Sequence, residues 1–386
     1  MKLATRLKML GMEFIASDTR RQIAHIRGRL ARRGQPTIHY FHQVDDPYSH
    51  LAAQKINALT TRYKVRFEFH LAHNPTDNEQ GDALRFSAWA LRDARTIASD
   101  YGTELPQNID KIESLQIKRA ESYLSRHLAD HDFAREAVAI GHRLWSGHPM
   151  EDLPASNAVQ DGSALRTKLG HWLSATFYFE GEWYWGVDRL VHLENRLLDM
   201  GLSNDPNGIC VPRPTPENLN DRDASAVTLE FFPSLRSPYT AISFDRTIAL
   251  AQRTGVKLVL RPVMPMMMRG VPAPRVKQLQ IMTDAKREAD YYGQKFGPMV
   301  DPFGEPVKRA FALLPFMIEQ GLSIDYCANY LRAAWCEGVD ITTELGLKQV
   351  VEETGGKWHE AKNQFDNNIW ETLLEDNVSD MLTAGL

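Results

Sequence analysis

Thr37-Ile-His-Tyr-Phe41 runs into His42-Gln-Val-Asp-Asp-Pro-Tyr48, and far downstream Val227-Thr-Leu-Glu-Phe-Phe232 runs into Pro233-Ser-Leu-Arg-Ser-Pro-Tyr239. An offset of 191 residues, the separation of Phe41 and Phe232, superposes the two stretches. It sets Asp46 on Ser237, Pro47 on Pro238 and Tyr48 on Tyr239. The same offset, without a gap, carries Val65, Phe67 and Phe69 onto Val256, Leu258 and Leu260. Each stretch reads as a strand, a turn, a helix with Pro in its first turn and a second strand. Asp or Ser before Pro is a good helix start, because the side-chain oxygen caps free N–H groups and Pro has none to lose. A repeat of this size predicts two related domains, so any site should be sought twice and compared.

Working outward, Lys64–Leu71 alternates Val65, Phe67, Phe69 and Leu71 with Lys64, Arg66, Glu68 and His70, which is a strand pattern. A long, mostly helical stretch is expected over about residues 81–147. Ala175-Thr-Phe-Tyr-Phe179 and Trp183-Tyr-Trp185, joined by Glu180-Gly181-Glu182, read as a hairpin. A helix over Val187–Met200 follows and ends at Gly201. Pro206, Pro212, Pro214 and Pro216 mark a linker. After it come a strand, a helix from Ser237, a strand at Val256–Val263 and a helical block from about Val276 to Leu382. The predicted organisation is a basic helical arm at 1–35, a first domain at 36–202, a linker at 203–225 and a second domain at 226–386. In the arm, Leu3, Leu7, Leu10 and Phe14 share one face, and Ile23, Ile26 and Leu30 share another. Such an arm packs on the body or on a partner subunit, which leaves a homo-oligomer open, or it contacts an anionic surface such as lipid or RNA.

The chain has 386 residues, enough for two domains with their own cores. Its net charge is −4, yet residues 1–35 hold nine Lys/Arg against only Glu13 and Asp18. A basic arm on an acidic body argues against nucleic acid as a partner, which would call for a broader basic surface. No apolar run is long enough for a membrane span. Cys210, Cys327 and Cys336 form no CxxC and read as reduced thiols in a cytoplasmic protein. Among the thirteen His, His39, His42 and His50 flank the first turn and His70 and His73 end a strand. No Cys or nearby carboxylate pair completes a ligand set with them, so no metal is expected.

Taken in order, these pieces resemble the DsbA-like branch of the thioredoxin superfamily. The likeness is to 2-hydroxychromene-2-carboxylate isomerases and kappa-class glutathione transferases. It is carried by Phe232 with Ser237-Pro238-Tyr239, by Lys286-Arg287-Glu288-Ala289 before Phe296-Gly297, and by Leu331-Arg-Ala-Ala-Trp335. In the first domain it is carried by Asp93-Ala94-Arg95, Trp145-Ser146-Gly147 and Trp185-Gly186-Val187-Asp188. The resemblance implies an α/β fold of two tandem thioredoxin-like domains, each with a large helical insertion. The second lacks its closing hairpin, and the chain is expected to be shortened relative to its relatives.

It also implies a chemistry. These proteins work at the N-terminus of the first domain helix, where the dipole and free N–H groups favour an anion. Neither domain has a cysteine there, so dithiol–disulfide exchange is not expected. By the resemblance, Ser237 would hold a glutathione thiolate, with Pro238 and Tyr239 shaping the pocket. Arg261 and Arg269 would bind a carboxylate. Asp46, Pro47 and Tyr48 mark a degenerate first site, since a carboxylate repels a thiolate. Opposite that helix the family has a cis-proline, but here the stretch is Ser174-Ala175-Thr176. Ala175 is expected to be trans, because a cis bond without Pro costs ~3 kcal/mol. Asp188 matches an acidic position near the glutathione amino end. The isomerases' Asn-Pro stretch after the second strand is replaced in the second domain by Arg261-Pro-Val-Met-Pro265 and Met266-Met-Met268. Two readings follow. One is a glutathione-dependent isomerase or transferase of a small organic molecule. The other is a non-catalytic tandem thioredoxin-like protein that binds a peptide or protein partner.

Overall fold

The structure is a computed structural model and describes residues 1–106, 112–205, 208–215 and 223–386. Parts of the expected linker and of the first helical insertion lie outside the described residues. The chain is a mixed α/β protein, mostly helical. It divides into two compact units, an N-unit of residues 21–216 and a C-unit of residues 1–20 with 217–386.

The basic arm is two helices, α1 (Leu3–Ala16) and α2 (Asp18–Ala31), divided between the units. Helix α1 turns Ala16, Met9 and Met12 toward the C-unit core. The expected packing face, Leu3, Leu7, Leu10 and Phe14, is exposed instead. Helix α2 lies against the N-unit hairpin. There Arg32 pairs with Glu180 at 2.8 Å and His25 with Glu182 at 2.7 Å.

In the N-unit, β1 (Thr37–His42), α3 (Pro47–Arg62) and β2 (Arg66–Leu71) form the first half. Helices α4 (Asp77–Gln80), α5 (Ala83–Ala98), α6 (Ser114–Leu124), α7 (Phe133–Trp145) and α8 (Ala158–Leu169) follow. The hairpin β3 (Thr176–Phe179) and β4 (Glu182–Trp185) and helix α9 (Leu190–Asp199) complete the unit. The strand order is β2-β1-β3-β4, with β1 parallel to β2 and antiparallel to β3. Alternation does the sorting. Ile38 and Tyr40 face the main core, while Phe41 meets Trp183 and Ala72 in a smaller cluster on the other side.

Helix α8 was not anticipated. Its glycine and serine weaken its helical signal, but they permit a close approach: a Cβ on Gly162 would collide with the Leu71 carbonyl of β2. The β1–β2 register also sets His39 opposite Glu68 and places His70 two residues further along the same face. The carboxylate that the histidines lacked in the sequence is thus supplied by strand pairing. After α9, Glu194 is fully buried and accepts from Tyr63 Oη at 2.7 Å and from the Cys210 and Val211 amides at 2.7 and 2.8 Å. Three donors on one carboxylate offset its desolvation and tie the following segment to the unit.

The C-unit opens with the same strand–helix–strand order. Strand β5 (Thr228–Phe231), α10 (Pro238–Thr254) and β6 (Lys257–Leu260) are followed by α11 (Arg275–Tyr291), α12 (Glu305–Ala312), α13 (Leu314–Glu319) and α14 (Ser323–Trp335). Then come α15 (Glu344–Glu353), α16 (Trp358–Ala361) and α17 (Ile369–Thr383). Among the described residues no strand follows β6. Its core gathers Phe311, Leu314, Tyr326, Tyr330, Trp335 and Trp370. The 191-residue offset holds in the hydrogen bonds. Thr37 pairs with Arg66 and Thr228 with Lys257. The Ala72 amide donates to the His42 carbonyl at 2.8 Å, and the Val263 amide to the Pro233 carbonyl at 2.9 Å. All three cysteines are unpaired. No helix among the described residues is long and apolar enough to cross a membrane.

Candidate functional site at the first turn of α3

Asp46 caps α3. Its carboxylate accepts from the Tyr48 and Ser49 amides at 3.3 and 2.9 Å and from Ser49 Oγ at 2.7 Å, and Pro47 fills the first helical position. Next to it a cavity of about 400 Å³ opens within the N-unit. Trp145, Trp185 and Ile117 make apolar wall, while Asp45, Asp46 and Asn74 bring polar groups. A mostly apolar cavity with a few convergent polar groups is the usual form of a small-molecule site.

The electrostatics are unusual for a helix cap. Burial pushes the Asp46 carboxyl up to about 6, against the opposing pull of its Ser49 and Tyr48 hydrogen bonds and with a further push from Asp45. Asp45 is also raised by burial, although Gln43 and Asn74 hydrogen-bond it. Tyr48 donates from Oη to Asp93 at 2.6 Å and packs edge-on to Trp185 at 5.4 Å.

Across the cavity, Ser174 precedes the hairpin. The peptide at Ala175 is trans, as expected; among the described residues only Gly297–Pro298 is cis. Ala175 takes φ 56°, a left-handed conformation that costs a residue with a Cβ. Thr176 is buried and donates to the Leu173 carbonyl at 3.1 Å, so its hydroxyl is turned inward. Behind this loop stands Arg166, 1% exposed, which donates to Ser174 Oγ at 2.9 Å and to the His73 carbonyl at 3.2 Å. Burial lowers its pKa to about 10, which the Glu79 and Asp46 charges partly oppose. Asp188 pairs with Arg189.

Arg166 carried no sequence signal, because its role depends on α8. Asn74-Pro75 did carry one. It stands after the second strand of the N-unit, where the resemblance implies an Asn-Pro stretch, and both residues line the cavity.

The C-unit residues are arranged differently. Ser237 is half-buried, and its Oγ accepts from the Thr240 amide at 3.2 Å, with Pro238 at the first helical position. Tyr239 donates from Oη to Asp284 at 2.8 Å, the counterpart of Tyr48 with Asp93 at the same offset. Arg261 is held between Glu230 at 2.6 Å and Asp380 at 2.7 Å. Arg269 is exposed, and its Nε donates to the Met264 carbonyl at 3.0 Å. Met264 and Met268 pack on the C-unit core, and Met267 Sδ accepts from Arg236 at 3.3 Å. Ser237 and Tyr239 thus share a helix start, while Arg261 is committed to carboxylates of its own unit.

No family model and no curated protein matches the chain. Among solved structures, the chain is similar to a 2-hydroxychromene-2-carboxylate isomerase at 17% identity, over 42% of this chain and 81% of that one, with a TM-score of 0.35. It is also similar to the cytosolic disulfide reductase DsbM from Pseudomonas aeruginosa with GSH, at 21% identity, over 41% and 81%, with a TM-score of 0.32.

Proposed function

We propose that the N-unit cavity takes a small, largely apolar organic molecule and that Asp46 exchanges a proton with it. Asp46 carries this reading: a half-buried carboxyl that titrates near 6, beside a 400 Å³ cavity, is poised to give and regain a proton near neutral pH. The class of reaction that fits is an isomerisation by proton transfer. The identical strand register and helix-start bonds at a 191-residue offset support a tandem duplication of a DsbA-like unit.

The second reading is a glutathione-dependent isomerase with Ser237 holding the thiolate. One observation favours it: Ser237 Oγ accepts a bond, yet its own proton has no acceptor among the described residues. The test uses the full chain with 2-hydroxychromene-2-carboxylate as trial substrate, with and without glutathione. Trp145 and Trp185 line the cavity, so quenching of their fluorescence reports occupancy. We expect turnover to fall on the order of 100-fold in Asp46→Asn, the scale of one general acid–base group, and to survive Ser237→Ala. Glutathione binding and turnover lost only in Ser237→Ala would replace the first reading with the second. No quenching and no turnover would leave the non-catalytic partner-binding protein as the better account.

A further inference from the structure

The N-unit sheet face that packs under α8 carries a cluster apart from the cavity of α3. His39 on β1 and Glu68 and His70 on β2 bring one ligand atom each within 4.8 Å of one another. His39 Nδ1 lies 3.2 Å from Glu68 Oε2 and 3.1 Å from His70 Nε2. We propose that His39, Glu68 and His70 form a binding site for a divalent transition cation, Zn2+ foremost, with its remaining coordination positions open to water.

Three arguments carry this. The first is proton bookkeeping. His39 Nδ1 holds at most one proton. If that proton goes to Glu68, the nitrogen offers His70 nothing to donate to. If His70 donates instead, a bare nitrogen faces a carboxylate at 3.2 Å. One Nδ1 proton can serve both neighbours only as a shared, three-centre bond, whereas a cation would engage all three ligand atoms directly. The second is size. Ligand atoms about 2.0–2.1 Å from one zinc stand roughly 3.0–3.4 Å apart; the two spacings from His39 Nδ1 fall there, and the third pair lies within 4.8 Å. Two imidazoles and a carboxylate suit Zn2+ and its first-row neighbours rather than Ca2+ or Mg2+. Support is in place too. Arg66 holds the other oxygen of Glu68, leaving Oε2 toward the histidines, and Phe41 stacks on His70 at 4.9 Å.

The third argument is the C-unit. At the same offset, Glu230, Val259 and Arg261 replace His39, Glu68 and His70. There the guanidinium of Arg261 sits against Glu230 at 2.6 Å. One unit supplies a positive group at this sheet position from its own chain, and the other presents ligands for one.

Calorimetry of the chelator-treated full chain with ZnSO4 tests the proposal. The expected result is one equivalent bound, with affinity reduced by at least about 100-fold in His39→Gln and in His70→Gln, beyond what a supporting residue costs. Glu68→Gln, on a partly exposed side chain, keeps the test available should a histidine variant fail to fold. His127→Gln, in an exposed pair with Asp130, should bind as the parent does. No equivalent bound, or binding undiminished in the three site variants, overturns the site.

Discussion

The two helix starts share a backbone and differ in charge. The Gln43 amide bonds Ser49 Oγ at 3.2 Å, and the Ser234 amide bonds Thr240 Oγ1 at 3.3 Å, one offset apart. On that common frame the N-unit sets Asp45-Asp46 and the C-unit Arg236-Ser237. Asp45 and Asp46 are pushed upward together. Arg236 instead reaches Asp301 at 2.7 and 3.1 Å. Burial works to raise Asp301, but Arg236 and Lys8 outweigh it and hold the carboxyl below its ordinary range. The lesson is that two helix starts with matching backbone bonds can carry different chemistry. Two side chains decide whether the same helix start holds a proton or an ion pair.

The largest expected effect breaks the comparison at the hairpin, which among the described residues only the N-unit has. Ala175→Pro restores the residue that the resemblance implies, but proline fixes φ near −65° and Ala175 stands at 56°. It should cost about 3 kcal/mol. Urea denaturation reads this as a lower midpoint, and an unchanged midpoint would mean that the loop switches freely to the cis form.

Next comes the charge on Asp46. Its folded pKa, about 6, lies above the ordinary 3.8. An acid raised in the folded state binds more protons there than in the unfolded chain. Its ionisation therefore removes stability as pH rises from about 4 through 6. Asp46→Asn keeps a good cap and removes the charge. Above pH 7 the variant should be the more stable by on the order of 2 kcal/mol, with the gap closing by pH 4. Thermal melts across that range check it, and a gap that stays constant with pH would count against the raised pKa.

The tyrosines give a smaller contrast. Tyr48 is 6% exposed and Tyr239 is 37% exposed, though each donates to an Asp. Tyr48→Phe should cost about 1–1.5 kcal/mol, because a buried hydroxyl and a half-buried carboxylate lose their bond. Tyr239→Phe should cost about 0.5 kcal/mol, since water replaces the hydroxyl. Equal losses in urea melts would mean that exposure does not separate the two sites.

Much of this was legible. The offset, the strand–helix–strand halves and the aromatic hairpin follow from residue pattern. So do the caps, since Asp46 and Ser237 precede Pro. What was missed depends on tertiary placement. Helix α8 is set by the approach of Gly162 to Leu71, not by its own periodicity. Arg166 matters only because α8 brings it behind Ser174. His39 and Glu68 are far apart in sequence and meet only in the parallel register. Asn74-Pro75 is legible as a dipeptide, but that it shares a cavity with Asp46 follows only from the fold.

The sharpest remaining comparison transplants the carboxyl. Ser237→Asp puts an acid at the start of α10, where Ser and Asp cap about equally well, so stability should change by less than about 0.5 kcal/mol. Its neighbour would be Arg236 in place of Asp45, an attractive charge in place of a repulsive one. The new carboxyl should therefore titrate below Asp46, and the C-unit should gain no loss of stability between pH 4 and 7. Carbon-13 NMR of the two carboxyls reads both pKa values in one sample. Burial is the largest cause of the raised Asp46 value, ahead of its neighbour's charge. If Asp at 237 also titrates near 6, enclosure at the helix start would be the property the units share. The Asp45-to-Arg236 difference would then matter for ion pairing alone.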